Sequence, residues 1–175
     1  MTRIFKIAVL ACMALLTMSD ARAQQPPAPN PLDTIPEKMP FYIPYGANIT
    51  LDRAQELIAA SIAEAKRRDW KMAVAVVDAG ANLVAFARMD DAQLAAVALA
   101  EHKARSSAMS RRDTKAFETS VQGGNIYQLT LDGMIAVRGG IPLVENGHLI
   151  GAIGASGGSG SQDEVTAKAG AALVR

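Results

Sequence analysis

The sequence has almost no cysteine. Cys12 is the single one among 175 residues, and it lies in a stretch that we expect to be removed from the mature protein. The mature chain would then have no disulfide, no thiolate nucleophile and no cysteine-based metal site. Histidine is nearly as scarce. His102 and His148 are the only two, and they lack the close pairing of a metal-binding motif.

The sequence also lacks an excess of either charge. It contains 18 basic and 17 acidic residues. Loss of residues 1–23 would remove three basic residues and one acidic residue, which leaves a formal net charge of −1. A polyanion needs a basic surface, so nucleic acid is not an expected partner.

The first 23 residues have the pattern of a secretory signal peptide. Arg3 and Lys6 give the positive start, residues 7–18 are apolar, and the Ala-Arg-Ala of 21–23 fits a cleavage site. The apolar run is shorter than the about 20 residues that span a bilayer. We therefore expect a periplasmic or secreted protein. An uncleaved helix and lipid attachment at the cysteine stay open as alternatives.

Residues 24–49 are expected to form an arm rather than part of a core. Seven of the eight prolines lie here, and proline favours extended backbone because it fixes φ and has no N–H. The large apolar groups of Phe41, Tyr42, Ile43 and Tyr45 argue against a disordered tail. Two possibilities remain, a wrap on the arm's own domain and docking on a neighbouring subunit.

Residues 50–175 predict one α+β domain. Apolar residues at helical spacing predict helices at about 51–68, 92–109 and 114–121, with a last one near 161. Hairpins are predicted at 72–89 and 141–155, and a short strand at 134–137. Short connections imply antiparallel pairing, so we expect an antiparallel sheet flanked by helices.

Local signals predict where the helices begin. The expected caps are Thr50 for the first helix and Asp90 or Asp91 for the second, with a capping box of Ser161 and Glu164 for the last. The second helix is rich in alanine, so its partner should approach closely. Its expected buried face is Leu94, Val97, Ala98, Ala104 and Ala108.

Residues 139–169 hold the densest group of motifs. Asn146-Gly147 predicts a two-residue hairpin turn, because both positions of that turn need positive φ. A loop with Gly157 and Gly158 then precedes a helix. Nucleotide binding is not expected, since there is no Walker lysine and no proper G-x-G-x-x-G.

Three stretches occur in an order that resembles the GlcG/HbpS family, also called the haem-degrading or DUF336 family. They are VAVVDAGANLVAFARMD (74–90), EHKARSSA (101–108) and GGIPLVENGHLIGAIGASGGSGSQDE (139–164). The resemblance covers the chain from about residue 51 to its end. It implies a profilin-like arrangement, a dimer-based homo-oligomer and haem as the cofactor.

The residues predicted to bind haem are His102, Lys103, Thr114, Arg138, Gly157 and Gly158. His102 is the candidate iron ligand, because haem iron commonly takes an axial imidazole. Lys103 would bind a propionate carboxylate. The resemblance places Thr114 near the pocket, although its oxygen is also suited to an N-cap. For each residue a structural role stays open, such as a surface histidine or a lysine lying over apolar neighbours.

We expect an exported protein that binds haem in order to scavenge it, buffer it or help to degrade it. One alternative is a cofactor-independent enzyme or binder for small carboxylic acids. It would use Lys103 and Arg138 for the carboxylate and Asp163 or Glu101 for proton transfer. Another is a sensory or structural oligomer that contacts a membrane partner. The sequence offers no nucleophile with a partnered histidine. Whether the protein is an enzyme stays open.

Overall fold

A computed structural model describes residues 33–39 and 41–174 of the protein. The chain from Met39 onward forms one compact unit, and residues 33–38 belong to a separate one. The predicted signal peptide (1–23) and the first part of the predicted arm (24–32) lie outside the described residues. None of the helices within the described ranges combines the length and the hydropathy that crossing a membrane requires.

Helices alternate with two hairpins along the domain. The elements in chain order are α1 (Leu51–Arg67), β1 (Ala73–Asp78), β2 (Leu83–Arg88), α2 (Ala95–Ser110), α3 (Lys115–Gln122), a 3-10 helix (Ile126–Thr130), β3 (Gly140–Glu145), β4 (His148–Ser156) and α4 (Gly160–Ala171). All four predicted helices and both hairpins are present. The strand predicted at 134–137 is wrong, because this stretch joins no sheet within the described chain.

The four strands form one antiparallel sheet in the order β2-β1-β4-β3. The predicted α+β class is therefore confirmed. Asn146 and Gly147 have φ values of 49° and 77°, as the predicted hairpin turn between β3 and β4 requires. The two central strands are buried over most of their length, because helices cover both faces of the sheet.

The two faces of the sheet are packed with different side chains. α1 and α4 cover one face, where helix and strand residues form a core of larger aliphatic side chains that include Leu57, Ile58, Val74, Val76, Leu143 and Ile153. α2 covers the opposite face with alanines at every fourth position, namely Ala96, Ala100, Ala104 and Ala108. This spacing puts the four alanines on one side of the helix.

Glycines in the sheet let α2 rest almost directly on the strand backbone. A Cβ added at Gly154 would lie 2.2 Å from the carbonyl oxygen of Ala100. A Cβ at Gly140 would lie 2.2 Å from the carbonyl oxygen of Lys103. Real Cβ atoms do not approach this closely, so glycine in the strands and alanine in the helix together set the distance between the two layers.

The predicted cap of the first helix is confirmed and that of the second is wrong. The hydroxyl of Thr50 accepts a hydrogen bond from Arg53 N at the start of α1. α2 begins at Ala95 with no side-chain cap, and not directly behind Asp90 or Asp91. The start moves because the two aspartates themselves lie in a turn, and the two residues that follow them are irregular.

The capping box of α4 lies two residues before the predicted one. Ser159 accepts from the backbone N–H of Gln162, and the Gln162 side chain accepts from Ser159 N. The predicted pair was Ser161 and Glu164. Both of those residues lie inside the helix, so the glycine loop is shorter than the sequence indicated.

The described end of the arm wraps on its own domain. Leu149 N donates to the carbonyl oxygen of Pro44 at 2.8 Å. The guanidinium of Arg112 lies over the ring of Phe41 at 4.0 Å and over that of Phe117 at 4.3 Å. Of the two possibilities for the arm, these contacts support the local wrap.

We expect the substitution Gly154→Ala to lower the free energy of unfolding by about 1–3 kcal/mol, because the new methyl group overpacks the contact with α2. The matched control is Gly123→Ala, where φ is −77° and a Cβ would make ordinary contacts of 3.4 Å. Urea unfolding of the two variants measures the difference. Equal stability of the two variants would contradict the close packing of α2 on β4.

Candidate functional site

The predicted site is divided by α2 into an inner and an outer part. His102 and Lys103 are neighbours in sequence, so their side chains point about 100° apart around the helix axis. Lys103 is buried and His102 is exposed. The two residues therefore cannot both contact one ligand on the surface of the protein.

The inner part is an ion pair between Lys103 and Asp163. Lys103 Nζ lies 2.6 Å from Asp163 Oδ2, and the two side chains are 1% and 4% exposed. Lys103 Nζ also donates to the carbonyl oxygen of Ala155 at 3.3 Å. Asp163 Oδ1 accepts from Gly158 N at 3.0 Å. The pair thus joins α2, the end of β4, the glycine loop and α4.

Burial controls the chemistry of this pair. It raises the pKa of the Asp163 carboxyl, and the hydrogen bond from Lys103 offsets part of that rise. Because removing either partner would leave the other buried and uncompensated, the two groups hold each other in place. We therefore assign Lys103 to this pair, and not to contact with a ligand carboxylate as the sequence suggested.

Thr114 is buried and bound to β3 by two hydrogen bonds. Its N–H donates to the carbonyl oxygen of Gly140, and its hydroxyl accepts from Gly140 N, both at 3.0 Å. The hydroxyl makes no capping hydrogen bond to α3. Asp113 instead accepts from Lys115 N at 2.8 Å and supports the start of that helix. The side-chain cap expected from Thr114 is therefore wrong, and its place in a haem site stays a prediction.

Arg138 links α3 to α4. Its guanidinium lies 2.8 Å from the Glu118 carboxylate and 3.4 Å from that of Glu164. The hydrogen bond from Arg138 lowers the pKa of Glu118. Arg138 makes no ion pair with Asp163 in the described chain, because Asp163 is turned towards Lys103. Arg138 and Asp163 therefore belong to separate sets of ion pairs.

Gly157 and Gly158 border a cavity of about 280 Å³ that Trp70 and Lys71 also line. Gly157 has φ of 149°, and a Cβ there would lie 2.3 Å from the carbonyl oxygen of Lys71. The loop therefore lies close to the backbone at Lys71. His102 is not among the described residues that line this cavity.

The outer part of the site is a strip of exposed residues on α2, here called the α2 strip. It has helical spacing and comprises Leu94, Ala95, Ala98, Leu99, His102, Arg105 and Met109. Leu94 is 82% exposed, and Met109 is 43% exposed. The prediction that Leu94 and Ala98 face the core is therefore wrong, because the smaller alanines occupy the inner face. His102 lies in the middle of the strip.

The remaining histidine has a different setting. His148 is exposed beside the hairpin turn, where its Nδ1 lies 3.0 Å from the carbonyl oxygen of Asn146. No group of three His, Cys, Asp or Glu side chains that would hold a bare metal ion occurs in residues 33–39 and 41–174. Of the two histidines, His102 is the one set in apolar surface.

Comparison with known proteins decides the family. The sequence profile described as "Haem degrading protein HbpS-like" matches residues 49–172. The chain belongs to the HbpS-like family. It is 40% identical to Protein GlcG of Escherichia coli (strain K12) over 103 residues, which cover 59% of this chain and 77% of GlcG. The family that the motifs suggested is thereby confirmed.

Solved structures of HbpS-like proteins have the same fold. The crystal structure of Klebsiella pneumoniae protein ORFY, of the DUF336 family, matches with a TM-score of 0.69 and 29% identity, over 81% of this chain and 97% of ORFY. The crystal structure titled PduOC:Heme Complex matches with a TM-score of 0.67 and 27% identity, over 74% of this chain and 96% of that chain. PduOC is thus a protein of this fold whose structure has been solved in complex with haem.

Two features of the site were not predicted from the sequence. The partner of Lys103 is Asp163, which lies 60 positions away and has no local signal that links it to the helix. The α2 strip was also missed. The repeat of alanine at every fourth position was a usable signal for it, since that repeat marks the opposite side of the helix as the inner face.

We expect Asp163→Asn to lower the free energy of unfolding by about 3–5 kcal/mol, because the substitution leaves the Lys103 ammonium group buried without its counter-charge. The double variant Lys103→Met with Asp163→Leu should recover much of this loss. Urea unfolding at neutral pH measures both. A single variant as stable as the unmodified protein would mean that the pair is not buried in solution.

Acid should destabilise the protein partly through Glu118. Because Arg138 lowers the pKa of Glu118 from its ordinary value of 4.5, this group stabilises the fold above pH 4.5, and the contribution is lost as the pH falls through the folded pKa. In Glu118→Gln the free energy of unfolding should decline less steeply below pH 4.5. Urea unfolding across acid pH measures this slope, with exposed Glu56→Gln as control. Identical slopes for the two variants would contradict the ion pair.

Proposed function

We propose that the protein binds haem on the α2 strip, with His102 as the axial ligand of the iron. The observation that carries this proposal is the position of His102, an exposed imidazole in the middle of an apolar helix surface. Two comparisons support it. The family is described as haem-degrading, and one relative of known structure is in complex with haem.

The residues of the strip suit the chemistry of haem. Haem is a flat, mainly apolar ring with two carboxylates, and iron commonly takes an imidazole. Leu99 and Met109 offer apolar surface on either side of His102. Arg105 is half exposed and makes only a 3.4 Å surface pair with Glu101, so its guanidinium is accessible to a propionate. Bound haem would supply redox and oxygen chemistry that the side chains of this chain lack.

We further propose that the protein works outside the cytoplasm, where it scavenges haem, buffers it or helps to degrade it. The support for export is the sequence pattern of residues 1–23. A dimer-based assembly is part of the same proposal. Its support is the presence of large exposed apolar side chains in the described chain, which include Tyr42, Leu94, Ile126 and Leu129.

Binding of a small carboxylic acid at the predicted cations is less well supported. That alternative relied on Lys103 and Arg138 to hold the carboxylate. Lys103 is paired with Asp163 in the interior, and Arg138 is paired with Glu118 and Glu164. Neither cation is available to a ligand without breaking a pair within the chain, whereas His102 is accessible on the surface.

The test is a titration of the protein with haemin, followed by the Soret band. We expect a saturable shift of the band. His102→Ala should abolish the shift or weaken binding about tenfold or more, equivalent to about 1.4 kcal/mol. The control is His148→Ala, which removes the other histidine and should bind haemin normally. If His102→Ala titrates as the unmodified protein does, the proposed ligation is wrong.

A further inference from the structure

A long groove lies between α1 and the edge strand β2, away from the α2 strip. One part is a cavity of about 470 Å³, lined mainly by apolar side chains that include Ile58 and Ile62. The other part is a cavity of about 380 Å³ that Ile62, Lys66 and Arg88 line. Ile62 borders both, so the two cavities are neighbours along α1, and together they are here called the β2 groove. Its size is that of a small-molecule site.

The groove exists because β2 carries small residues where the neighbouring strand carries larger ones. Ala85 and Ala87 pair with Val76 and Val74 of β1. The two valines fill the space below α1, and the two alanines at the sheet edge leave it open. The core is thus incomplete along one edge, and the side chains that line the gap are mainly apolar.

The helix side of the groove changes from apolar to cationic along its length. Ile58, Ile62 and Lys66 follow one another at intervals of four, so their side chains lie in one line on α1. Lys66 and Arg88 make no ion pair with any residue in the described part of the chain, whereas neighbouring Lys71 pairs with Asp69 at 2.7 Å. Lys66 and Arg88 are therefore two cations without an ion-pair partner in the described chain, at the end of the apolar part of the β2 groove.

Two acidic residues limit the charge that this end accepts. Asp90 and Asp91 line the same cavity as Lys66 and Arg88. A phosphate or a dicarboxylate would bring its second negative charge close to these carboxylates, and like charges repel. A single carboxylate matches the two cations without that penalty.

We propose that the β2 groove binds an amphipathic monocarboxylate, such as an unbranched fatty acid. The acyl chain lies against Ile58, Ile62 and Ala87, and the carboxylate lies at Lys66 and Arg88. This site shares no residue with the α2 strip. It is therefore independent of the proposed haem site, and either one can fail without the other.

Trp70 allows the proposal to be tested without a label. It is the single tryptophan of the chain, and its cavity shares Lys71 and Asp91 with the cationic end of the groove. Decanoate is titrated below its critical micelle concentration, with tryptophan emission and calorimetric heat as readouts. We expect a saturable response in both, and a much weaker one for methyl decanoate, which has the same chain without the charge.

Matched variants identify the groove. Lys66→Gln should raise the decanoate Kd about tenfold through loss of a charge-assisted contact. Arg67→Gln removes the same charge from the next residue of α1, whose side chain is 64% exposed and paired with Glu64, and should leave the Kd unchanged. Ala87→Leu should fill the groove and remove binding. The comparison of Lys66→Gln with Arg67→Gln tests decanoate binding in the β2 groove even if Ala87→Leu fails to fold.

Crossed titrations separate this proposal from the haem site. His102→Ala should leave the decanoate Kd unchanged, and Lys66→Gln should leave haemin binding unchanged. The proposal is overturned if decanoate gives no saturable response, if methyl decanoate binds equally well, or if the two charge variants behave alike. It is also overturned if the unmodified protein is a dimer by light scattering, binds no decanoate, and dissociates when Ala87→Leu is introduced. The groove would then be an interface between copies.

Discussion

The close packing of α2 on the sheet determines the rest of the structure. Gly154 of β4 leaves no room for a side chain below Ala100, so only a face of alanines can lie there. Once that face is turned inward, the helical period fixes the direction of every other side chain of α2. Lys103 points into the protein and His102 points away from it.

The inward lysine gives the helix a second attachment. Through Asp163 it reaches α4 and the glycine loop, which are far from α2 in sequence. The exposed side of α2 is therefore presented by a helix fixed at several points, and a site on such an element is held more precisely than one on a loop. We regard the buried pair as the support of the α2 strip and not as part of its binding surface.

Local patterns were sufficient to predict the helices and the two hairpins but not the contacts between them. Asn146-Gly147 specifies its turn by itself, because both residues tolerate positive φ. The orientation of α2 was mispredicted because Leu94 and Val97 are more hydrophobic than the alanines that form the inner face. Side-chain size rather than hydrophobicity determines which face of α2 is buried, because the glycines opposite accept only small residues. The partner of Lys103 depends on tertiary packing, so no local pattern indicated it.

Amide NMR spectra test directly whether haem binds to the outward side of α2, with paramagnetic Fe(III) haemin compared with diamagnetic zinc protoporphyrin. We expect Fe(III) to broaden the amide signals of α2 around His102 most strongly, from about Ala98 to Arg105, and to leave those of α1 and α4 sharp. Broadening centred on α1, α4 or the glycine loop, with α2 unaffected, would contradict this expectation.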